Sequence, residues 1–202
     1  ATYGGAISCA MGCTVTIANN KIERCRADQG GGIYSVDDDF IIANSIISCE
    51  GEGAALYLTG TAIATGNTID SNIGRAVYCA GSVQILSNNI TNNTGGGIYV
   101  ESGSDVTIEH NTIEHNSAMD GPAIFCRTAT PTIRYNKIRY NTIEIAPLQG
   151  YIPGAIYVEG GVPTIEHNTI THNEFSAGIS ICDAGGSLSY NYLCHNNTGA
   201  FT

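Results

Sequence analysis

Tryptophan is absent from this chain, leucine is scarce, and positive charge is thin, with eight Lys and Arg against eighteen Asp and Glu in 202 residues. The formal net charge of −10 repels phosphate backbones and anionic lipid, so neither nucleic acid nor a membrane surface is an expected partner. No apolar run approaches the roughly 18 residues that a spanning helix needs, so membrane insertion is not expected either. The eight cysteines include no Cys-x-x-Cys pair, which removes the usual spacing of a zinc site. What the chain does have is 43% hydrophobic residues, enough for a core, and 25 glycines among abundant Asn, Ile and Thr. That mixture points to many short strands joined by tight turns.

An internal repeat decides the fold. The unit GGGIYVESGSDVTIEHNTIEHN begins at Gly95, and its tail returns as PTIRYNKIRYN from Pro131 and PTIEHNTITHN from Pro163. Its first Asn forms a column: Asn20, Asn44, Asn67, Asn88, Asn111, Asn136, Asn168 and Asn191. The steps run from 21 to 25 residues, apart from one of 32. Two positions on, each unit carries Ile or Leu, and five positions on lies a second column, Cys25, Cys49, Asn72, Asn93, Asn116, Asn141, Asn173 and Asn196. Each unit reads as three short strands with alternating apolar residues, and only two-residue bends separate the second from the third. The expected fold is all-β: a right-handed parallel β-helix of about eight coils, three strands per coil, with internal Asn ladders. Buried bends leave backbone groups unpaired, and stacked amide side chains can satisfy them. The tail also fits a leucine-rich repeat, but Ile, Val, Ala and Tyr hold the apolar positions, and the rest of each unit is glycine-rich and β-branched where that repeat would place a helix.

The I-x-x-N-x-I-x-x-N signature, as in Ile108 to Asn116 and Ile165 to Asn173, resembles the parallel β-helix repeat of the pectate-lyase-like superfamily. The resemblance spans nearly the whole chain and implies the fold. For activity it implies only a broad range, from lyases, hydrolases and epimerases to adhesins and non-catalytic binding proteins. Neither the clustered aspartates of polygalacturonase-like relatives nor the calcium-binding aspartates of typical pectate lyases occur on the first strand.

Residues 1–202 are read as one β-helix domain. Both ends match coil interiors, so the expectation is a segment of a longer solenoid, with end-to-end contact to further coils or another chain. The 32-residue step places a protruding loop at 142–153, which carries Tyr151; a functional loop and a neutral insertion both fit. Cys9, Cys79 and Cys126 share an inward slot held elsewhere by Ser35, Leu58 or Val100, and read as small buried hydrophobes. Cys25 and Cys49 lie one coil apart, within disulfide range.

The residue after the inward Ile of each first strand is expected to face out. That column reads Tyr34, Tyr57, Tyr78, Tyr99, Phe125 and Tyr157, an exposed aromatic stripe. Two residues before each ring stands Gly or Ala, a flat floor on which sugar rings could pack. Cross-coil aromatic support of the sheet is the other reading. Next outward come Glu101, Arg127 and Glu159, an arrangement a polysaccharide lyase could use, with a basic residue taking the proton alpha to a uronate carboxyl group. The ladders Glu109–Arg134–Glu166 and Glu114–Arg139 repeat the pattern elsewhere, which favours ion pairing that sets register. Asp37, Asp38 and Asp39 fall in a turn and would hold Ca²⁺ weakly, with a solvated acidic turn as the alternative; no other cofactor is expected. The leading expectation is an extracellular or cell-surface, non-catalytic module that binds polysaccharide along the stripe, through Tyr151 as well. The alternatives are a lyase centred on Arg127 and the loop, and a structural spacer of an adhesin.

Overall fold

The computed structural model describes residues 1–144 and 153–196. These form a parallel β-helix in which three eight-stranded parallel sheets run the length of a rod. The first sheet begins with Ile7–Cys9 and Ile33–Val36, the second with Thr16–Ala18 and Phe40–Ile42, the third with Lys21–Glu23 and Ser45–Ile47. Among the described residues there is no helix. Each strand pairs in register with its copy one coil away, so that Ile69 faces Ile46 and Ile90. At about 4.8 Å per coil, one apolar side chain per short strand suffices for a continuous core. Ile41, Ile85, Ile108 and Ile133 fill it from the second sheet, and Ile46, Ile69, Ile90, Ile113 and Ile138 from the third, all fully buried. β-branched chains suit this role because their restricted χ1 packs well on a pleated, half-buried surface.

The bends explain the asparagines. The residue before every ladder position adopts the left-handed conformation, with φ between 51° and 66° from Asn19 and Ala43 through Gly66 to Tyr190. The second bend repeats this from Arg24 to His195. Such a conformation costs a non-glycine residue roughly 1–2 kcal/mol, so something must hold it. Each ladder amide does so. Asn88 donates from its backbone N and from Nδ2 to Asn111 Oδ1, at 2.8 and 3.1 Å, and Nδ2 also donates to the Ala64 carbonyl at 2.9 Å. The motif repeats along both columns. Cys49 breaks it: its thiol reaches the Ile22 carbonyl only at 3.9 Å, while its backbone N still donates to Asn72 Oδ1 at 2.9 Å.

The structure corrects the outer face of the first sheet in two places. The Gly and Ala residues preceding the strand do not form an outer floor. Ala55, Ala76, Ala123 and Ala155 are fully buried in the core, and a Cβ on Gly32 would meet the Ile46 side chain at 2.7 Å. Gly32 N and Ile33 N both donate to the Ala55 carbonyl, so the backbone kinks there and two successive residues turn inward. The aromatic stripe is not freely exposed either. Tyr99 and Tyr157 are buried at 7% and 5% exposure, and Tyr34, Tyr57, Tyr78 and Phe125 are half-buried, because each ring is covered by its neighbours along the rod.

The 142–153 segment begins as structure: Thr142–Ile143 forms a short strand on Ser117–Ala118. Tyr151, with the rest of residues 145–152, lies outside the described residues. All eight cysteines are unbridged, and Cys9, Cys79 and Cys126 face the core as expected.

Candidate functional site

The column on the first sheet is an unbroken ring stack. Tyr3 joins it at 4.8 Å from Tyr34, and Tyr34–Tyr57, Tyr57–Tyr78 and Tyr78–Tyr99 follow at 5.2, 4.3 and 5.5 Å, stacked nearly parallel. Tyr99 meets Phe125 edge-on at 76°, and Phe125 stacks again on Tyr157. Ring faces are therefore used up within the column, leaving edges and phenol oxygens for anything outside it. Burial pushes the Tyr34 hydroxyl up from its ordinary value, with help from Tyr57 and Tyr3. Tyr78 is pushed up further, by burial and by its bond to Glu101.

Beside the stack, Arg127 and Glu159 pair in register and are exposed. Among the described residues neither forms an ion pair. Glu101 is committed differently: Oε2 accepts from Tyr78 Oη at 2.9 Å and Oε1 from Ser102 N at 2.8 Å. The Ser102 backbone amide, against some burial, holds its carboxyl below the usual range, with Tyr78 and Arg127 adding to the effect. The ladders expected for register are present, with Arg134 Nε 2.7 Å from Glu109 and Arg139 Nε 2.5 Å from Glu114.

The three aspartates diverge. Asp37 accepts from Gly12 N at 2.6 Å, Asp38 from the Thr61 hydroxyl, and buried Asp39 from Val15 N and Ser35 Oγ, both at 2.7 Å. They tie three neighbouring coils together rather than converging on one point, and among the described residues no group of three ligand side chains is arranged for a metal.

Two features stand apart from the expected sites; the repeat already lines up the first, and the second escaped the sequence reading. All five histidines lie in two exposed columns over the bends. One stacks His110, Tyr135, His167 and Tyr190 at 4.9–5.1 Å, the other His115, Tyr140, His172 and His195 at 4.9–5.4 Å. Their common signal is the position just before each ladder Asn. The second feature is a cleft of about 360 Å³ where the chain rounds the corner from the third sheet to the first. Arg75, Tyr99 and Phe125 line one side, and Glu52, Asp120 and Glu144 stand around it. Its volume falls within the range of small-ligand sites.

The chain matches the family described as "right handed beta helix region" over residues 2–105 and again over 54–201, and it belongs to that family. No curated protein and no solved structure matches it. The fold is one of carbohydrate-active and surface β-helix proteins, and this sets the class within which the site is read.

Proposed function

We propose that this protein is an extracellular or cell-surface β-helix module that binds polysaccharide, without catalysis, along the outer face of its first sheet. The observation that carries the reading is the aromatic column itself: seven rings in line over seven coils, with polar edges outward and the Glu101–Arg127–Glu159 row beside them. A linear polymer suits a surface that repeats at every coil better than a compact ligand does. Because neighbouring rings cover one another, sugars meet ring edges and phenol oxygens rather than ring faces. Hydroxyl groups of a glycan both donate and accept, which matches phenols, a carboxylate and a guanidinium in a row. The absence of catalysis is supported by Glu101, whose two oxygens are already occupied by Tyr78 and Ser102, leaving it poorly placed as a general base.

The test is affinity electrophoresis through gels containing neutral or acidic polysaccharides. A Tyr34→Phe/Tyr57→Phe/Tyr78→Phe/Arg127→Ala variant keeps the ring stack but removes its polar edge. Losing a few hydrogen bonds of about 1 kcal/mol each should weaken retardation about tenfold or more. Equal retardation of variant and wild type would overturn the reading, and so would a lack of retardation of wild type in every gel.

A further inference from the structure

The cleft at the corner between the third and first sheets borders an edge where glycines bring successive coils together. A Cβ on Gly95 would lie 2.5 Å from the Gly74 carbonyl carbon, and one on Gly74 would lie 2.2 Å from the Gly51 oxygen. Successive coils therefore meet there backbone against backbone, and Gly95 N donates to the Gly74 carbonyl at 3.0 Å. Beside this glycine edge a recess opens toward the aromatic column. It opens at the place where the parallel stack is interrupted, the edge-on contact of Tyr99 with Phe125, 5.2 Å between centroids.

Over this recess the Arg75 guanidinium sits 4.1 Å from the Tyr99 ring centre. Among the described residues it forms no ion pair. A guanidinium placed over a ring keeps N–H donors around its edge. Around the rest of the recess are the carboxylates of Glu52 and Glu144, the latter also accepting from the Ser117 hydroxyl at 2.6 Å, while Asp120 beside them is engaged in an interaction of its own. We propose that this cleft is a subsite for one uncharged sugar residue of the glycan that follows the first sheet. The inference rests on the polysaccharide reading above and narrows it to neutral chains. The charge pattern selects the class. Carboxylates outnumber the single guanidinium there and repel a uronate, while Arg75 offers donors that a sugar oxygen can accept. A hydroxyl-rich neutral ring donates to the carboxylates, accepts from Arg75 and packs against the Tyr99–Phe125 wall.

Two variants probe it. Arg75→Ala removes the donor, and Thr94→Trp, at an exposed residue on the cleft wall, fills the recess without touching Arg75. Calorimetric titration would use xylohexaose, cellohexaose and mannohexaose against hexagalacturonate, with circular-dichroism melts confirming that each variant folds. Wild type should bind at least one neutral hexasaccharide and not hexagalacturonate. Arg75→Ala should weaken that affinity about tenfold or more, and Thr94→Trp should abolish it. Since the chain otherwise lacks tryptophan, the new indole should also show no ligand-induced fluorescence change. Wild-type affinity in both folded variants, or binding of hexagalacturonate as tight as that of the neutral oligomers, would overturn the cleft assignment. Retained retardation in polysaccharide gels alongside such results would leave the broader reading standing, whereas no binding of any glycan would remove both.

Discussion

The phenol hydroxyl of Tyr78 donates to Glu101 Oε2 across 2.9 Å, bridging one coil to the next on the outer face of the first sheet. This bond and the Ser102 amide favour the ionised carboxylate, so the folded-state value of Glu101 lies below its ordinary 4.5. A carboxyl shifted down contributes stability that is complete above 4.5 and is lost as pH falls through the lower, folded value. Thermal melts from neutral pH down into that acid window should therefore fall more steeply for wild type than for Glu101→Gln. Parallel curves for the two proteins would refute the coupling.

The Asn ladder is expected to be the most sensitive part of the fold. Asn111→Ala removes the acceptor of Asn88 N and the donor to the Ile85 carbonyl, leaving two buried backbone groups without their partners. The expected loss is about 2–5 kcal/mol in urea unfolding. Thr112→Ala, one residue on at a partly exposed position, should stay within about 0.5 kcal/mol. Similar losses for both would mean that the ladder amides do not carry the bends.

The left-handed bends offer a gain. Ala43 adopts φ 51°, and the next coil already places glycine, Gly66 at φ 66°, in the same position. Ala43→Gly relieves the steric cost of that conformation at some expense in chain entropy, for a net gain of about 0.5–1 kcal/mol. Gly66→Ala has open space around its new Cβ, with Ala43 N the nearest atom at 4.0 Å. Even so, it should lose about 1 kcal/mol from backbone strain alone. Denaturant midpoints that move in the opposite directions would contradict this account.

Thiol chemistry should follow burial. Cys79 and Cys126 are fully enclosed, and burial pushes both thiols far up; burial, with the Asp39 carboxylate adding to it, pushes Cys9 up to about 11. Cys13 and Cys182 are exposed. In native protein a disulfide reagent should label Cys13 and Cys182 quickly, whereas Cys79 and Cys126 should react only on unfolding. Rapid native labelling at Cys126, read by peptide mass mapping, would show that the core opens.

The coil register could be read from the chain because one residue type recurs at one task. Asn20 through Asn191 each satisfy the same bend, so their spacing alone lays out the sheets and places Ile22 through Ile170 in the core. The outer face of the first sheet was harder to read. Strict alternation places Ala55 outside, yet the shared acceptor at the Ala55 carbonyl turns Gly32 and Ile33 inward together, a kink that no period-two pattern encodes. The aromatic column was legible as a column, but the burial of Tyr99 and Tyr157 depends on rings one coil away. The histidine columns were legible from the repeat, although Asn19, Ala43, Gly66 and Ser87 hold that position in the early coils; their stacking on Tyr135 and Tyr140 was not. The cleft was hidden, since no single repeat column links the residues around it, Glu52, Arg75, Tyr99 and Asp120.

The corner glycines act as a ruler for the rod. Where Gly51, Gly74 and Gly95 leave no room for even a methyl group between coils, the pitch is pinned on that edge. The longest repeat takes its extra residues at this same corner, between Asn141 and Gly154, yet returns its Asn168 Oδ1 to within 3.0 Å of Asn136 N. Length is thereby free to vary at the corner, while Phe125 still pairs with Tyr157 in register and the first sheet keeps its spacing.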